Sequence, residues 1–332
     1  MKRIVKIVTV AVALLALIWL VACDGTEPAE TESTTAPATG ETTAAETTAA
    51  ESTAAETTEA ATTAEQTQEE ETDVSTEAYT GPRKYFTLSF DDGITQDARM
   101  MEIMRSYDVY ACTFNINTGL LGHCMVGLHG TAENPAGVSH VRFTKDEIKG
   151  GVYDGFDVQC HTQTHPILAG LPAEQVTVEV NGDATKITRL TGITPVGMAW
   201  PNGDAYWNED NIKAILETTD IRFARAVAST GTFNLPTYFM TWYPTCSIAD
   251  GNLEALTAQF ISAEPEEDIL FYVWGHGYEL DLYDSWDRFE WLIATISEAA
   301  KNDPSITLVT NAEFYEIYKD RIPSWVETEI KE

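Results

Sequence analysis

Basic residues are the first scarcity: the 332-residue chain has 20 Lys and Arg against 52 Asp and Glu, a formal net charge of −32. The shortage runs through its length. Residues 24–80 hold 15 acidic residues and no Lys or Arg, and 81–332 hold 37 acidic against 17 basic. Such a chain cannot replace counterions on a polyanion, which excludes a nucleic-acid binder driven by phosphate contacts. The same balance argues against docking on anionic lipid through basic residues. Cysteine is also sparse, five in all, and the spacing of Cys112, Cys124, Cys160 and Cys246 matches no zinc ribbon or CxxC pattern. These four are expected to be free thiols. Long apolar runs are missing as well: the stretch from Ile7 to Ala22 has about 16 residues, short of the roughly 20 a membrane helix needs.

The amino terminus carries an address. Lys2, Arg3 and Lys6 precede the apolar run, the pattern of an export signal, and Leu20-Val21-Ala22-Cys23 resembles the bacterial lipobox. The resemblance implies cleavage before Cys23 and a lipid on its thiol, so residues 1–22 are expected to be a signal peptide. The protein then belongs outside the cytoplasm, lipid-anchored to the bacterial cell membrane. From Asp24 to Thr80, 46 of 57 residues are Thr, Ala or acidic, with a pentad such as Glu41-Thr42-Thr43-Ala44-Ala45 repeated. A period of five fits neither helix nor strand, and almost no large apolar side chain is available to bury. Residues 23–80 read as a disordered tether with an end-to-end distance of about 40 Å.

The remaining 252 residues, 81–332, suffice for one core. Apolar alternation predicts strands over 84–90, 110–116, 156–160, 194–200, 221–227, 269–274 and 306–309. Helical spacing covers 94–107, 145–153, 174–190, 211–218, 253–261, 286–300 and 312–318. Seven strand–helix units imply a parallel sheet with crossover helices, an α/β fold best closed or nearly closed as a β/α barrel. Asp91-Asp92, His161, Asn202 and His276 each follow the apolar run of a different strand, where barrels place their chemistry.

Asp91-Asp92-Gly93 alone is ordinary turn punctuation. His161-Thr162-Gln163-Thr164-His165 is sharper, because two imidazoles four apart can converge on one ion if the chain makes a helical turn after the strand. His123, His129 and His140 read as ordinary core or surface histidines. In combination and in order, Asp-Asp, His-x-x-x-His and a late His276 resemble the polysaccharide deacetylase family, the NodB-homology domains of carbohydrate esterase family four, over roughly 82–320. That resemblance implies a distorted, often incomplete (β/α) barrel of seven to eight strands. It implies one divalent metal, zinc foremost, held by Asp92, His161 and His165. Asp91 would be the base that takes a proton from the attacking water, and His276 the acid that protonates the leaving group. A backbone N–H near Asn202 would donate to the oxyanion.

Two departures stand out. The family's third motif offers an Arg and a Tyr around a Pro, whereas this stretch reads Met198-Ala199-Trp200-Pro201-Asn202-Gly203. Arg225, on the next predicted strand, is the candidate to steady Asp91. The fourth motif is indistinct, and Trp242 together with Trp200 is the candidate aromatic wall for a sugar. The expected activity is hydrolysis of N-acetyl groups on a polysaccharide, with peptidoglycan or chitin-like N-acetylglucosamine leading. An O-acetyl esterase for xylan or capsular glycans comes second, and a catalytically silent glycan-binding module is the rival of another class. The expected partners are an acetylated glycan and, through Cys23, the membrane; no protein partner is implied.

Overall fold

The computed structural model describes residues 79–128 and 137–326. The expected signal peptide and tether, with Cys23, and His129 lie outside the described residues. Seven parallel pairings build the main sheet from β1 (Lys84–Asp92), β2 (Cys112–Ile116), β5 (Asp157–Cys160), β6 (Gly197–Ala199), β7 (Phe223–Arg225), β8 (Cys246–Ser247), β9 (Ile269–His276) and β10 (Ile306–Leu308). Their order is β7-β6-β5-β2-β1-β9-β8, with β10 also beside β1. The segment after β7 joins the two ends. Trp242 bridges Arg225 in parallel, and Cys246 and Ser247 a few residues on pair with β9. The sheet therefore curls into the distorted, incompletely closed β/α barrel that the strand–helix alternation implies.

Seven of the helices sit where apolar spacing puts them: α1 (Asp97–Ser106), α2 (Lys145–Lys149), α3 (Ala173–Thr191), α4 (Glu209–Thr218), α5 (Leu253–Ser262), α7 (Trp286–Asn302) and α8 (Asn311–Tyr318). Capping boxes start three of them, at Thr144/Glu147, Asn208/Asn211 and Thr310/Glu313. Gly192, at φ 79°, ends α3 in the left-handed conformation that glycine adopts without a Cβ penalty. Three elements had no sequence signal: β8, the short α6 (Gly277–Leu282), and an antiparallel hairpin of β3 (Cys124–Leu128) with β4 (Val138–Val141). Cys112, Cys160 and Cys246 are buried free thiols. Cys124 lies half-buried in the hairpin rather than in the core. No helix among the described residues is long and apolar enough to cross a membrane.

Strand alternation gives the sheet two unlike faces. Phe86, Leu88, Phe90, Phe114, Ile116, Val158 and Cys160 pack into the large core with the helices, where Phe90 meets Phe289 of α7 edge-on at 5.9 Å. The other face of β1 carries Thr87, Ser89 and Asp91 inside the curl. An aromatic cluster of Tyr85, Phe223, Phe239, Trp242, Tyr272, Phe314 and Tyr318 fills the curl, with α8 contributing Phe314 and Tyr318. Asn311, at the start of α8, donates to Thr87 Oγ1 (3.0 Å) and through its backbone N–H to Thr113 Oγ1 (2.9 Å). Further along the same face, toward the carboxyl ends of the strands, the side chains become ionisable.

Candidate active site

Sheet register brings distant residues into one row. Asp91 stands opposite Asn115 on β2 and opposite His276 on β9, while Ala199 of β6 stands opposite Arg225 of β7. Two neighbouring residues on a strand face opposite ways, so Asp91 and Asp92 share one site only because the backbone turns at once. Asp92 has φ 83° and Gly93 φ 67°, in the left-handed region that costs any residue with a Cβ. A Cβ at Gly93 would also lie 2.9 Å from Ile116 Cγ2, so glycine is required there twice over.

The His-x-x-x-His pair converges, but not by a helical turn. The segment after β5 is irregular, with Thr162 at φ 66° and His165 at φ 56°, and the two rings meet edge to face at 4.8 Å between centroids. Left-handed residues replace the helix because the strand ends in a tight loop that must return both imidazoles to one point. That loop is pinned from behind. Asp183 of α3 accepts from the His161 backbone N–H (3.0 Å) and from the Thr118 N–H and hydroxyl. Asn117 donates to the carbonyls of His161 (2.6 Å) and Thr162 (2.9 Å).

Asp92, His161 and His165 each offer one ligand atom, and these atoms lie within 4.8 Å of one another. The donor chemistry fits a divalent cation. His161 Nδ1 lies 2.9 Å from the Ala199 carbonyl, which fixes the proton on that nitrogen, and its Nε2 is buried with no hydrogen-bond partner. Burial keeps both imidazoles neutral, pulling His161 below its ordinary value and His165, with its neighbour His161, down to about 4. Burial raises Asp92, but the His140 hydrogen bond and the nearby cationic groups outweigh it, leaving the carboxyl well below its usual range.

Asp91 is 2 % exposed, yet it too stays below its ordinary value, because Arg225, with His161 and His276, overcomes the effect of burial. Arg225 Nη2 donates to Asp91 Oδ2, and Asn115 donates to Oδ1 at 3.0 Å. Arg225 is 1 % exposed and lies 4.4 Å over the Trp274 ring. His276 begins α6, where its backbone N–H donates to Glu279 Oε2 (3.1 Å) and its Nδ1 lies 3.5 Å from Oε1. Burial pulls the imidazole down. The carboxylates of Glu279, Asp92 and Asp91 overturn that and push it up to about 9, so His276 is cationic at neutral pH. Asn202, at φ 66°, turns its side-chain amide to the carbonyls of His165 (3.3 Å) and Pro166 (3.0 Å).

Residues 78–224 match the family model of polysaccharide deacetylases. Over this segment the chain resembles the polysaccharide deacetylase family. The matched stretch contains the metal-ligand candidates and Asp91, and ends one residue before Arg225. No curated protein matches the sequence. Similar solved structures include the family-four esterase domain of a multidomain xylanase from the hindgut metagenome of Trinervitermes trinervoides. It is 18% identical with TM-score 0.42, over 73% of this chain and 94% of that one. A family 4 carbohydrate esterase from Streptomyces lividans is 17% identical, TM-score 0.41, over 67% and 90%. Peptidoglycan deacetylase PdaC from Bacillus subtilis is 16% identical, TM-score 0.42, over 72% and 93%.

The structure removes the expected aromatic wall from the site. Trp200 and Trp242 are 1% and 0% exposed. Trp200 donates from Nε1 to the Met240 carbonyl and stacks on Trp207, and Trp242 sits in the aromatic cluster inside the curl. An aromatic residue just past a strand fills a core as readily as it walls a cleft, and here both fill the core. His140 is corrected in the opposite direction: its Nε2 lies 2.9 Å from Asp92 Oδ2. Arg142, Asn115, Asn117, Asp183, Trp274 and Glu279 were also missed. The one legible hint was the alternation of Thr113, Asn115 and Asn117 with apolar residues along β2 and just past its end.

Proposed function

We propose that this chain is a metal-dependent deacetylase that hydrolyses N-acetyl groups of a polysaccharide, with peptidoglycan or chitin-like N-acetylglucosamine foremost. One observation carries the reading. Three ligand atoms from Asp92, His161 and His165 converge beside an ionised carboxylate, Asp91, and in the same strand row as a cationic imidazole, His276. Asp92, His161 and His165 would hold one divalent ion, zinc first, which when bound supplies Lewis acidity toward a water and the acetyl carbonyl. Asp91 takes the proton of the attacking water, its carboxylate held by Arg225 and Asn115 so that the free lone pairs face the site. His276 gives its proton to the departing nitrogen. Asn202 fixes the loop of His165, and a backbone N–H beside it serves the developing oxyanion.

The charge of His276 favours amides over esters. An amine leaves a tetrahedral carbon only after protonation, whereas an alkoxide with a good leaving group depends on it less. An acid poised at about 9 is still loaded with its proton at neutral pH. Lipidation of Cys23 would tether this chemistry just outside the membrane, in reach of a cell-surface glycan. Mass spectrometry of membrane protein should then show residues 1–22 removed and an acyl mass on Cys23; an intact Met1 overturns the anchor. The activity is tested by acetate release from a panel of N- and O-acetylated glycans after chelation and metal reloading. Release from N-acetyl substrates is expected. Faster release from O-acetyl xylan moves the reading to an esterase, and no release from any glycan leaves a binding module.

A further inference from the structure

The β3–β4 hairpin is antiparallel and separate from the main sheet, yet its second strand reaches the centre of the site. His140 and Arg142 both lie on Asp92, are 5% and 4% exposed, and approach different oxygens. His140 Nε2 is 2.9 Å from Oδ2 and Arg142 Nη2 2.9 Å from Oδ1. An ionised carboxylate only accepts, so His140 carries its proton on Nε2 and donates it. Arg142 Nη2 also donates to Asn117 Oδ1 at 3.2 Å, and Asn117 in turn holds the carbonyls of His161 and Thr162. One strand thus grips both the carboxylate and the histidine loop of the ligand set. Its other contacts fix its own place. Ile94 bridges Arg142, Val138 packs with Ile94 and Tyr278, and the His140 ring meets Tyr278 edge-on at 5.2 Å. Tyr278 is itself stacked on His276 at 5.0 Å.

We propose that His140 and Arg142 are positioning residues for the metal triad, with His140 holding Asp92 to a single ligating oxygen. Oδ1 is the oxygen that faces His161 Nε2, at 4.0 Å, whereas Oδ2 is turned toward His140. Each oxygen accepts one donor and keeps a second lone pair; Oδ1 has that lone pair on the His161 side, while the His140 N–H holds Oδ2 away and disfavours chelation through both oxygens. The inference rests on the metal-dependent reading above.

The test uses the protein with zinc and with cobalt. Zinc affinity is measured by competition with a chromophoric chelator, coordination number by the visible absorption of the cobalt form, and folding by circular dichroism. His140→Ala should fold, bind zinc about 10–100-fold more weakly, and give a weaker cobalt band, the mark of a higher coordination number. His140→Gln, which returns an N–H donor, should restore much of both. Arg142→Met removes the nitrogen that donates to both Asp92 and Asn117, and should also weaken zinc binding. A folded His140→Ala with wild-type zinc affinity and cobalt spectrum overturns the inference alone. A wild-type chain that binds no divalent ion overturns both it and the metal-dependent reading. Should His140→Ala fail to fold, the wild-type imidazole decides by nitrogen-15 NMR. His140 Nε2 must keep its proton when zinc is added, and losing it overturns the proposal.

Discussion

Asp91 and Asp92 are consecutive residues held by different parts of the molecule. Asp91 belongs to the sheet: its partners Asn115 and Arg225 come from β2 and β7, inside the curl. Asp92 belongs to the hairpin: its partners are His140 of β4, which joins no strand of the main sheet, and Arg142 just after it. Each carboxylate receives one guanidinium and one further donor, so burial leaves both ionised. His161 Nε2 faces both, 3.8 Å from Asp91 Oδ2 and 4.0 Å from Asp92 Oδ1. What differs is that Asp92 also converges with His165, whereas Asp91 is held back by Arg225 over the Trp274 ring. Similar charge balance in different frames is how adjacent, chemically identical side chains can take unlike roles.

The comparison breaks most sharply in Asp91→Asn and Asp92→Asn. Asp91→Asn should lose about 10²–10⁴-fold in turnover while binding metal stoichiometrically, because the proton acceptor is gone and the ligand set is not. Asp92→Asn should bind metal weakly, with activity partly recovered at high metal concentration. Metal titration of both variants followed by acetate release checks this. If Asp91→Asn is the variant rescued by metal, the two roles are exchanged.

A smaller loss should follow removal of the guanidinium on the Asp91 side. Arg225→Met leaves a buried carboxylate short of its cation, which costs about 3–5 kcal/mol of stability. Turnover should fall with metal content unchanged, since Arg225 touches Asp91 and not the ligand triad. Denaturant unfolding together with metal analysis of the purified variant reads both. Loss of metal in a folded Arg225→Met would mean that the two frames are coupled.

Glu279 sharpens the same contrast from the acid side. The folded pKa of His276 is raised to about 9, so its charge contributes stability that is fully present below its ordinary value of 6.5 and is lost as pH rises through about 9. The alkaline limb of kcat/KM should lie near the same pH. Glu279→Gln keeps an acceptor for the His276 N–H but removes the carboxylate charge, so the limb should move down toward neutrality, with little change at pH 6. An unmoved limb would assign it to another group.

Legibility in the sequence followed the same division. The barrel and its seven strand–helix units were readable because period-two and period-3.6 patterns are local. Asp91, Asp92, His161 and His276 were readable because each closes an apolar strand, and His165 because it follows His161 by four residues. Arg225 was readable because the resemblance calls for an Arg to steady Asp91, and Arg225 lies on the next predicted strand. The hairpin frame was not. His140 lies 48 positions from Asp92, in a Gly- and polar-rich stretch with no clean period, and nothing local distinguishes it from a core histidine. Trp200 and Trp242 failed for the converse reason: the sequence places them near strand ends but does not say which side of the sheet they face.

The smallest expected effect concerns Asn202, whose side chain and backbone have separable jobs. Its amide donates to the His165 and Pro166 carbonyls from an exposed position, contacts worth about 1 kcal/mol together with their competition from water. Its backbone sits at φ 66°, which glycine adopts freely and alanine resists. Asn202→Gly therefore removes the amide and keeps the backbone course, while Asn202→Ala removes the amide and strains it. If a backbone N–H at this loop serves the oxyanion, Asn202→Gly should lose only about 2–5-fold in kcat, and Asn202→Ala should lose more, with zinc affinity nearly the same in both. Equal kcat losses in the two variants would place the whole contribution in the side-chain amide, and the loop would then act on His165 alone.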